Sequence, residues 1–383
     1  MNNVPEIRFK GFEGVWERWK LGEMAKVNSG KDYKHLNVGD VPVYGTGGYM
    51  LSVDESLSEV DAIGIGRKGT IDKPQLLSAP FWTVDTLFFM TPEQNNDLLY
   101  LYVLSQTIEW AKMDESTGVP SLSKLNIQNV DVCVPKETEQ AAIGNFFRTF
   151  DETLALCKRK LDGLKELKRG YLQQMFPQAG ESVPRVRFKG FEGAWEQRKL
   201  GEIAERVVRK NKNLESTLPL TISAQYGLID QNEFFDKQIA SKDVSGYYLL
   251  KNGEFAYNKS YSNGYPWGAV KRLDRHESGV LSTLYIVFAP TGIESEFLVQ
   301  YYETTNWHTE VSKRAAEGAR NHGLLNIAPS DFFDTDLFIP TDVAEQTAIG
   351  AFFLNLDEQI TAQQKKWDKL KQLKAAYLQK MFV

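Results

Sequence analysis

The chain is an internal duplication, and this constrains its fold more than any other feature. Residues 4–24 read VPEIRFKGFEGVWERWKLGEM and residues 183–203 read VPRVRFKGFEGAWEQRKLGEI, with 15 of 21 positions identical at an offset of 179. A second pair, residues 139–176 and 345–382, shares 20 of 38 positions at an offset of 206. A unit of domain size is thus repeated twice, which predicts an internal pseudo-twofold axis.

The segments between these repeats differ from each other. Residues 28–133 and 207–338 show little plain similarity, although the same repeated segments flank both. A shared frame that carries two different inserts indicates one task performed on two different targets.

The second repeated segment predicts a long helix in each half, because its apolar residues recur in steps of three and four. Its length corresponds to about 57 Å of helix at about 1.5 Å per residue. Each stripe could pack on its own domain, but two matching helices that end two matching halves favour an antiparallel coiled coil between them. The predicted pairing residues are Leu154, Leu161, Leu164, Tyr171 and Met175 in the first helix, and Ile360, Trp367, Leu370, Tyr377 and Met381 in the second.

The two inserts have the pattern of mixed α/β domains, with short β-branched and aromatic runs between turn signals and a few helical stretches. The predicted fold class is therefore α+β (mixed α/β), with two domains in pseudo-twofold duplication joined by two long helices. We place the first domain at residues 1–138, a central helix and linker at 139–182, the second domain at 183–344 and the last helix at 345–383.

Composition argues against several classes of protein. Two cysteines, Cys133 and Cys157, make a disulfide framework improbable in 383 residues, and no CxxC or paired-histidine spacing suggests zinc. No apolar run approaches the roughly 20 residues that span a bilayer. Residues 1–14 lack the features of a signal peptide, so we expect a cytoplasmic protein without a membrane partner.

The order of the segments resembles a known family. Both long helices carry EQ-x-x-I-x-x-F-F, then D-E, L-x-x-L-K and L-Q-x-M-F, each after a variable domain. This order is similar to that of the specificity subunit (HsdS) of Type I restriction–modification systems. Shorter phrases are also similar, and they are IGRKGTI (65–71), GVPSLSKL (118–125), EFAYNKS (254–260), GVLSTLYIVF (279–288) and EGARNHGLLNI (317–327). The family often has glycine where this chain has Asp72.

The resemblance implies that each variable region is a target-recognition domain that reads one half of a split site in double-stranded DNA. It also implies that the helices pair, hold the two domains a fixed distance apart and dock two methyltransferase (HsdM-like) subunits, which restriction (HsdR-like) subunits join. The chain has no Gly-rich cofactor loop, no Asn/Asp-Pro-Pro-aromatic motif and no phosphate loop of a motor. We therefore expect a non-catalytic subunit without cofactor or metal.

Polar side chains in Gly-rich loops are the candidates for DNA contact, because such groups read base edges and loops carry binding. The candidates in the first domain are Tyr44, Thr46, Tyr49, Arg67, Lys68, Thr70, Ser121 and Lys124, and those in the second are Asn258, Lys259, Ser260, Tyr261, Asn263, Arg314, Arg320, Asn321 and His322. In the alternative interpretation the glycines only form turns with solvated tips. Arg314 and Arg320 would then pair with neighbours such as Glu310 and Glu317.

The charge of the chain runs against tight DNA binding by the chain alone. The formal net charge is -5, and residues 28–133 hold 7 basic against 14 acidic residues. We therefore expect the partner subunits to supply most contacts to the DNA backbone. Two other functions stay open, namely a methyltransferase or nuclease relative without recognisable motifs, and a coiled-coil scaffold with no DNA role.

Overall fold

The computed structural model describes residues 3–93, 95–114, 116–223, 226–235, 241, 243–260, 264–315, 325 and 327–383, and all structural statements concern these residues. The chain forms two compact units. Unit one comprises Met1–Lys160 and Gln363–Val383, and unit two comprises Leu161–Ala362. Each unit therefore takes one part of each long helix.

Unit one mixes strands and helices, as the sequence predicts. Its elements are β1 (Glu17–Lys20), α1 (Leu21–Met24), β2 (Ala25–Ser29), β3 (Val38–Gly45), β4 (Gly48–Val53), β5 (Ala62–Gly66), β6 (Gln75–Leu77), β7 (Trp82–Thr83), β8 (Leu87–Pro92), α2 (Leu98–Thr107), a 3₁₀ turn (Trp110–Met113), α3 (Lys124–Gln128), β9 (Asp131–Val134) and α4 (Glu137–Gln174). The sheets have the strand orders β2-β8-β5-β6, β4-β3-β7 and β1-β9; among these described strands β3 and β7 pair in parallel and the other pairs are antiparallel.

Unit two also mixes strands and helices. Its elements are β10 (Glu196–Lys199), α5 (Leu200–Ile203), β11 (Ala204–Arg206), β12 (Leu220–Ser223), β13 (Gly227–Asp230), α6 (Gln231–Phe235), β14 (Tyr248–Lys251), β15 (Phe255–Asn258), β16 (Ala269–Arg272), β17 (Ser278–Leu281), β18 (Ile286–Pro290), α7 (Ser295–Tyr301), α8 (Asn306–Arg314), α9 (Pro329–Phe333), β19 (Asp336–Ile339) and α10 (Val343–Lys380). Its four-stranded sheet has the order β11-β18-β15-β16, and β12-β13, β14-β17 and β10-β19 form further pairs; all of these pairings are antiparallel.

The four-stranded sheet of each unit packs into the unit's main core. The sequence AIGIG of β5 is buried along its whole length, since this strand lies between two neighbours and under α2. In unit two the core surrounds Phe255, Tyr257 and Phe288, all fully buried. Short apolar strands of this composition suit a sheet that is covered rather than exposed to water.

A buried ion pair ties the first repeated segment to the long helix in each unit. Arg8 donates to both carboxylate oxygens of Glu139 at 2.7 Å, and Arg187 does the same to Glu345 at 2.7 Å. The glutamate side chains are 2% and 1% exposed. Two-point pairing of guanidinium and carboxylate fixes orientation as well as distance, so both units have the same frame.

A close approach of two helices repeats in the same way. The Asp97 side chain accepts a hydrogen bond from the backbone and caps α2, and Glu294 caps α7. Each cap lies against a glycine of a long helix. A Cβ on Gly144 would lie 2.6 Å from Oδ1 of Asp97, and one on Gly350 would lie 2.9 Å from Oε2 of Glu294. Only glycine leaves room for the capped end at these two positions.

The long helices α4 and α10 pair in antiparallel fashion within each unit. In unit one, Lys374 donates to Asp151 at 2.5 Å. In unit two, Lys168 donates to both oxygens of Asp357 at 2.7 Å. These two pairs are related by the 206-residue repeat. From Asp151 to Lys168 the numbers rise along α4, while their partners on α10 fall from Lys374 to Asp357, so the helices run in opposite directions.

The predicted pairing residues fall into two groups. Leu161 is buried, while Leu154, Leu164, Tyr171, Ile360, Trp367, Leu370 and Tyr377 are half-buried along the helices. Tyr171 meets Phe352 edge-on at 5.0 Å, and Tyr377 meets Phe146 at 5.2 Å.

Met175 and Met381 differ from the other predicted pairing residues. The helices end at Gln174 and Lys380, so both methionines lie just beyond them. Each packs into the globular core of its unit. They therefore stabilise the domain core rather than the helix seam.

None of the helices in the described part of the chain has the length and apolar character that a membrane span requires.

Candidate functional site

Three loops meet in unit one, and they carry most of the first-domain candidates. They are the β3–β4 turn, the loop after β5 and the segment before α3. Gln75 donates from Nε2 to the carbonyl oxygens of Gly45 and Thr46 at 2.9 and 3.2 Å. Thr46 also faces the next loop, since a Cβ on Gly69 would lie 3.6 Å from its Oγ1.

The loop after β5 is joined to the segment before α3 by main-chain bonds. Lys68 forms a β-bridge with Ser121, and the amide of Gly69 donates to the carbonyl of Pro120 at 2.8 Å. Gly69 has a φ of +99°, which a residue with a Cβ rarely adopts. The glycines of GRKGT therefore shape a tight loop whose side chains at Arg67 and Lys68 are exposed.

An acidic side chain supports this arrangement. Asp114 accepts hydrogen bonds from the amides of Ser121 and Ser116, both at 2.9 Å. These bonds lower the pKa of the Asp114 carboxyl, and the bond from the Ser121 amide has the largest effect. Asp114 and Gln75 were not predicted from the sequence. Asp114 acts on amides only two and seven residues further along the chain, whereas Gln75 acts on a turn about 30 residues before it.

The other first-domain candidates occupy different settings. Tyr49 is 63% exposed and meets the half-buried Tyr44 edge-on at 6.4 Å. Thr70 is half-buried, and its carbonyl lies against Gly66. Lys124 is exposed at the first residue of α3. Arg67, Lys68 and Ser121 come together, whereas Tyr44 serves as a packing residue next to the apolar clusters.

The equivalent loop of unit two follows β15. Oδ1 of Asn258 accepts a hydrogen bond from the amide of Ser260 at 2.9 Å, which turns the chain at the end of the strand. The carbonyl of Lys259 accepts from the amide of Leu325 at 2.9 Å. The Lys259 side chain is half-buried, and this burial lowers the pKa of its ammonium group. The candidates Tyr261, Asn263, Arg320, Asn321 and His322 lie outside the described residues.

Arg314 has a structural role. Its guanidinium donates to Glu310 at 2.5 Å and to the carbonyl of Asp334 at 2.6 Å, and only 17% of its side chain is exposed. Burial opposes the charged form, but the bonds to Glu310 outweigh it and raise the pKa of Arg314. This is the ion-pair alternative that the sequence left open, so we leave Arg314 out of the proposed contact set.

Tyr226 is an exposed aromatic residue that the sequence analysis did not select. Tyr226 is 58% exposed in the β12–β13 turn, directly before Gly227. In unit one, Tyr49 directly follows Gly48, the first residue of β4 after the β3–β4 turn. An exposed tyrosine beside a turn glycine is the signal that could have identified it.

The helix pair of unit one also offers an apolar groove of about 560 Å³. It is lined by Phe9, Phe146, Phe150, Leu370 and Leu373, with Ala142, Asn145, Thr149 and Thr153. Leu373 is 41% exposed, so part of this apolar surface faces solvent.

Among the described residues, no group of three or more histidine, cysteine, aspartate or glutamate side chains could hold a metal ion.

Comparison with known proteins finds a family model that matches one part of the chain. The model of the Type I restriction modification DNA specificity domain matches residues 13–166. None of the curated proteins matches the chain significantly.

Solved structures match over nearly the whole length. The S subunit of a Type-I restriction-modification system from M. genitalium is 15% identical, with a TM-score of 0.68 over 99% of each chain. A chain from a structure titled for complex assembly and conformational transition of the type I R-M system is 14% identical, with a TM-score of 0.50 over 96% of this chain and 97% of that one. At such identity these likenesses establish the fold alone. Residues 13–166 are thus similar to the Type I restriction modification DNA specificity domain, and over 99% of its length the chain has a fold like that of a Type I S subunit.

Proposed function

We propose that this protein is the DNA-reading subunit of a Type I restriction–modification complex, and that each unit reads one half of a split target. One observation carries the proposal. Both units have the same frame, with equivalent ion pairs and capped helices, but the loops at the end of the third strand in the sheet order differ in sequence. Constant frames with variable loops suit two readers of different sequences.

The loops contain the chemistry that base reading needs. Arg67, Lys68 and Ser121 meet in unit one, and Asn258, Lys259 and Ser260 follow β15 in unit two. Such side chains donate to base edges and phosphates in DNA grooves. Because residues 28–133 are net acidic, we propose that partner subunits supply most of the contacts to phosphates.

We propose further that the paired helices set the distance between the two half-sites. Register in an antiparallel pair is fixed by specific contacts, and the Lys374–Asp151 and Lys168–Asp357 ion pairs supply one in each unit. A spacing on the order of one DNA turn, about 34 Å, would suit two domains that read one face of the duplex.

The helices are also the proposed docking surface for the methyltransferase subunits. The groove of unit one is lined by Phe9, Phe146, Phe150, Leu370 and Leu373, and the 179- and 206-residue repeats place Phe188, Phe352, Leu356, Leu164 and Leu167 at the matching positions of unit two. Equivalent residues in both units suit a partner that is present twice. Restriction subunits would join this assembly, and the chemistry would belong to the partners.

The test is to co-express the chain with the methyltransferase subunit encoded beside it and to map methylated adenines across the host genome by long-read sequencing. We expect two short specific blocks separated by a spacer of fixed length. A continuous motif would refute the two-reader geometry. A stable complex without any methylation would favour a scaffold instead.

A second assay addresses catalysis. The purified chain, incubated alone with duplex DNA and S-adenosylmethionine, with and without magnesium, is expected neither to methylate nor to cleave the DNA. Either activity would make the chain an enzyme and contradict the proposal.

A further inference from the structure

Arg67 and Lys259 occupy equivalent places in the two units. Arg67 is the first residue after β5, and Lys259 is the first after β15. These strands hold the same place in the sheet orders β2-β8-β5-β6 and β11-β18-β15-β16. The plain sequence comparison does not align the two loops, so the equivalence comes from the fold.

The main chain is held in the same way at both positions. The carbonyl of Arg67 accepts from the amide of Leu122 at 2.8 Å, and that of Lys259 accepts from the amide of Leu325 at 2.9 Å. The two leucines are 4% and 5% exposed and belong to the core of their units. Each cation therefore starts from a backbone position that is anchored to the core, and a fixed origin is what reading of a single base requires.

The cationic groups are largely uncommitted. Arg67 has five N–H donors, and within the described chain one of them donates to the carbonyl of Asp85 at 3.2 Å. Its guanidinium lies over the Phe88 ring, 5.8 Å from the ring centre, and the attraction between the cation and the ring face favours this position. Neither Arg67 nor Lys259 forms an ion pair with a described carboxylate. The half-buried ammonium of Lys259 has no acceptor among the residues that the structure describes, and such a group gains from a ligand that supplies one.

We propose that Arg67 and Lys259 are equivalent base-reading residues, each of which donates hydrogen bonds to a guanine in its own half-site. The proposal rests on the proposed function and goes beyond it by naming the base and the position. Both side chains only donate. In the major groove, guanine presents two adjacent acceptors, N7 and O6, whereas adenine presents a donor beside its acceptor and thymine a methyl group.

The test compares the complex of the full chain and its methyltransferase subunit with variants Arg67→Met and Lys259→Met. Each complex selects from random duplex DNA, and the bound fraction is sequenced. Lys26→Met, exposed on β2, and Lys251→Met, exposed on β14, are the matched controls. We expect R67M to lose a preference for guanine of about 5- to 150-fold at one position of one half-site. K259M should do the same in the other half, and the controls should change nothing.

The charge-conserving variants Arg67→Lys and Lys259→Arg keep the test decisive if a methionine variant unfolds in a thermal melt. Lysine lacks the planar fork of arginine, so R67K should keep guanine but discriminate several-fold less.

Weaker binding to all sequences with an unchanged motif would mean phosphate contact and overturn the inference. Loss of preference at a base other than guanine would overturn it too. Either result leaves the proposed function standing, whereas a wild-type complex that selects no split motif would overturn both.

Discussion

The buried pair Arg187–Glu345 gives the sharpest test of the shared frame. Replacing Arg187 by methionine keeps the apolar stem but leaves a carboxylate that is 1% exposed without its cation. Loss of one partner of a buried ion pair typically destabilises a protein by about 3–5 kcal/mol. Arg187 also donates to the carbonyl of Gly193 at 2.6 Å, so the upper half of that range is expected.

The effect should be large enough to measure in several ways. For a unit of about 200 residues, 1 kcal/mol corresponds to roughly 2–4 °C in Tm, so a shift of about 8–20 °C is expected in the transition of unit two. Hydrogen exchange followed by mass spectrometry would locate the change, because peptides of β10 and β19 should exchange faster. The twin variant Arg8→Met should produce the same change in β1 and β9.

The double variant Arg187→Met with Glu345→Met separates charge from packing. Removal of both charges leaves two apolar side chains in the same space, so most of the lost stability should return. A loss below about 1 kcal/mol for Arg187→Met alone, or a double variant as unstable as the single one, would refute the argument that burial of an unpaired carboxylate is the cause.

Three further predictions follow from the loops and the long helices. Gly66→Ala would place a Cβ 2.0 Å from the carbonyl oxygen of Thr70, so binding of the complex to its target should fall at least tenfold in a fluorescence-anisotropy titration, while Gly47→Ala, which meets nothing within 4 Å, should bind normally. The pKa of Asp114 is lowered in the folded chain, so the stabilisation that its carboxylate gives to the adjoining loop is complete at pH values above about 3.9, the ordinary pKa of aspartate, and is lost as the pH falls through the pKa of the folded state. Asp114→Asn should abolish this pH dependence, which hydrogen exchange measured over a series of pH values would show. Four residues inserted beside Gly163 add about 6 Å of helix, which should lengthen the spacer in the methylation map and leave the bases unchanged; altered bases at the old spacing would contradict the ruler.

The shared frame of the two units could be predicted from the sequence because the segments that form it occur twice in the chain. Identical residues at fixed offsets identified the long helices, and their three-and-four spacing predicted the pairing, which the Tyr171–Phe352 and Tyr377–Phe146 contacts bear out within the units. Where the helices stop was less visible. Met175 and Met381 continue the periodic pattern, but the chain leaves the helix just before them and enters the core.

The candidate loops were only partly predictable. Glycines in GRKGT marked a loop, but its place is fixed by main-chain hydrogen bonds to Thr86, Pro120 and Leu122, which are distant from it in the chain. For Arg314 the sequence left both DNA contact and an ion pair open. Its sequence context cannot reveal that Asp334, twenty residues later, folds back to accept its hydrogen bonds. The sequence shows where the cationic residues are, whereas only tertiary contacts decide whether their N–H donors already have acceptors within the protein.

The exchange of helix parts between the units has a consequence for synthesis on the ribosome. Phe382 stacks on Tyr100 at 5.7 Å and meets Trp16 at 6.2 Å inside the core of unit one. These partners are separated by 282 residues of chain from Tyr100 onward, which takes roughly 15–55 s to translate at about 5–20 residues per second. Residues 1–160 of unit one therefore leave the ribosome with an open core that residues 363–383 complete, and unit two can close before this happens. Until then, Trp16 and Tyr100 lack the aromatic partner that they have in the folded unit.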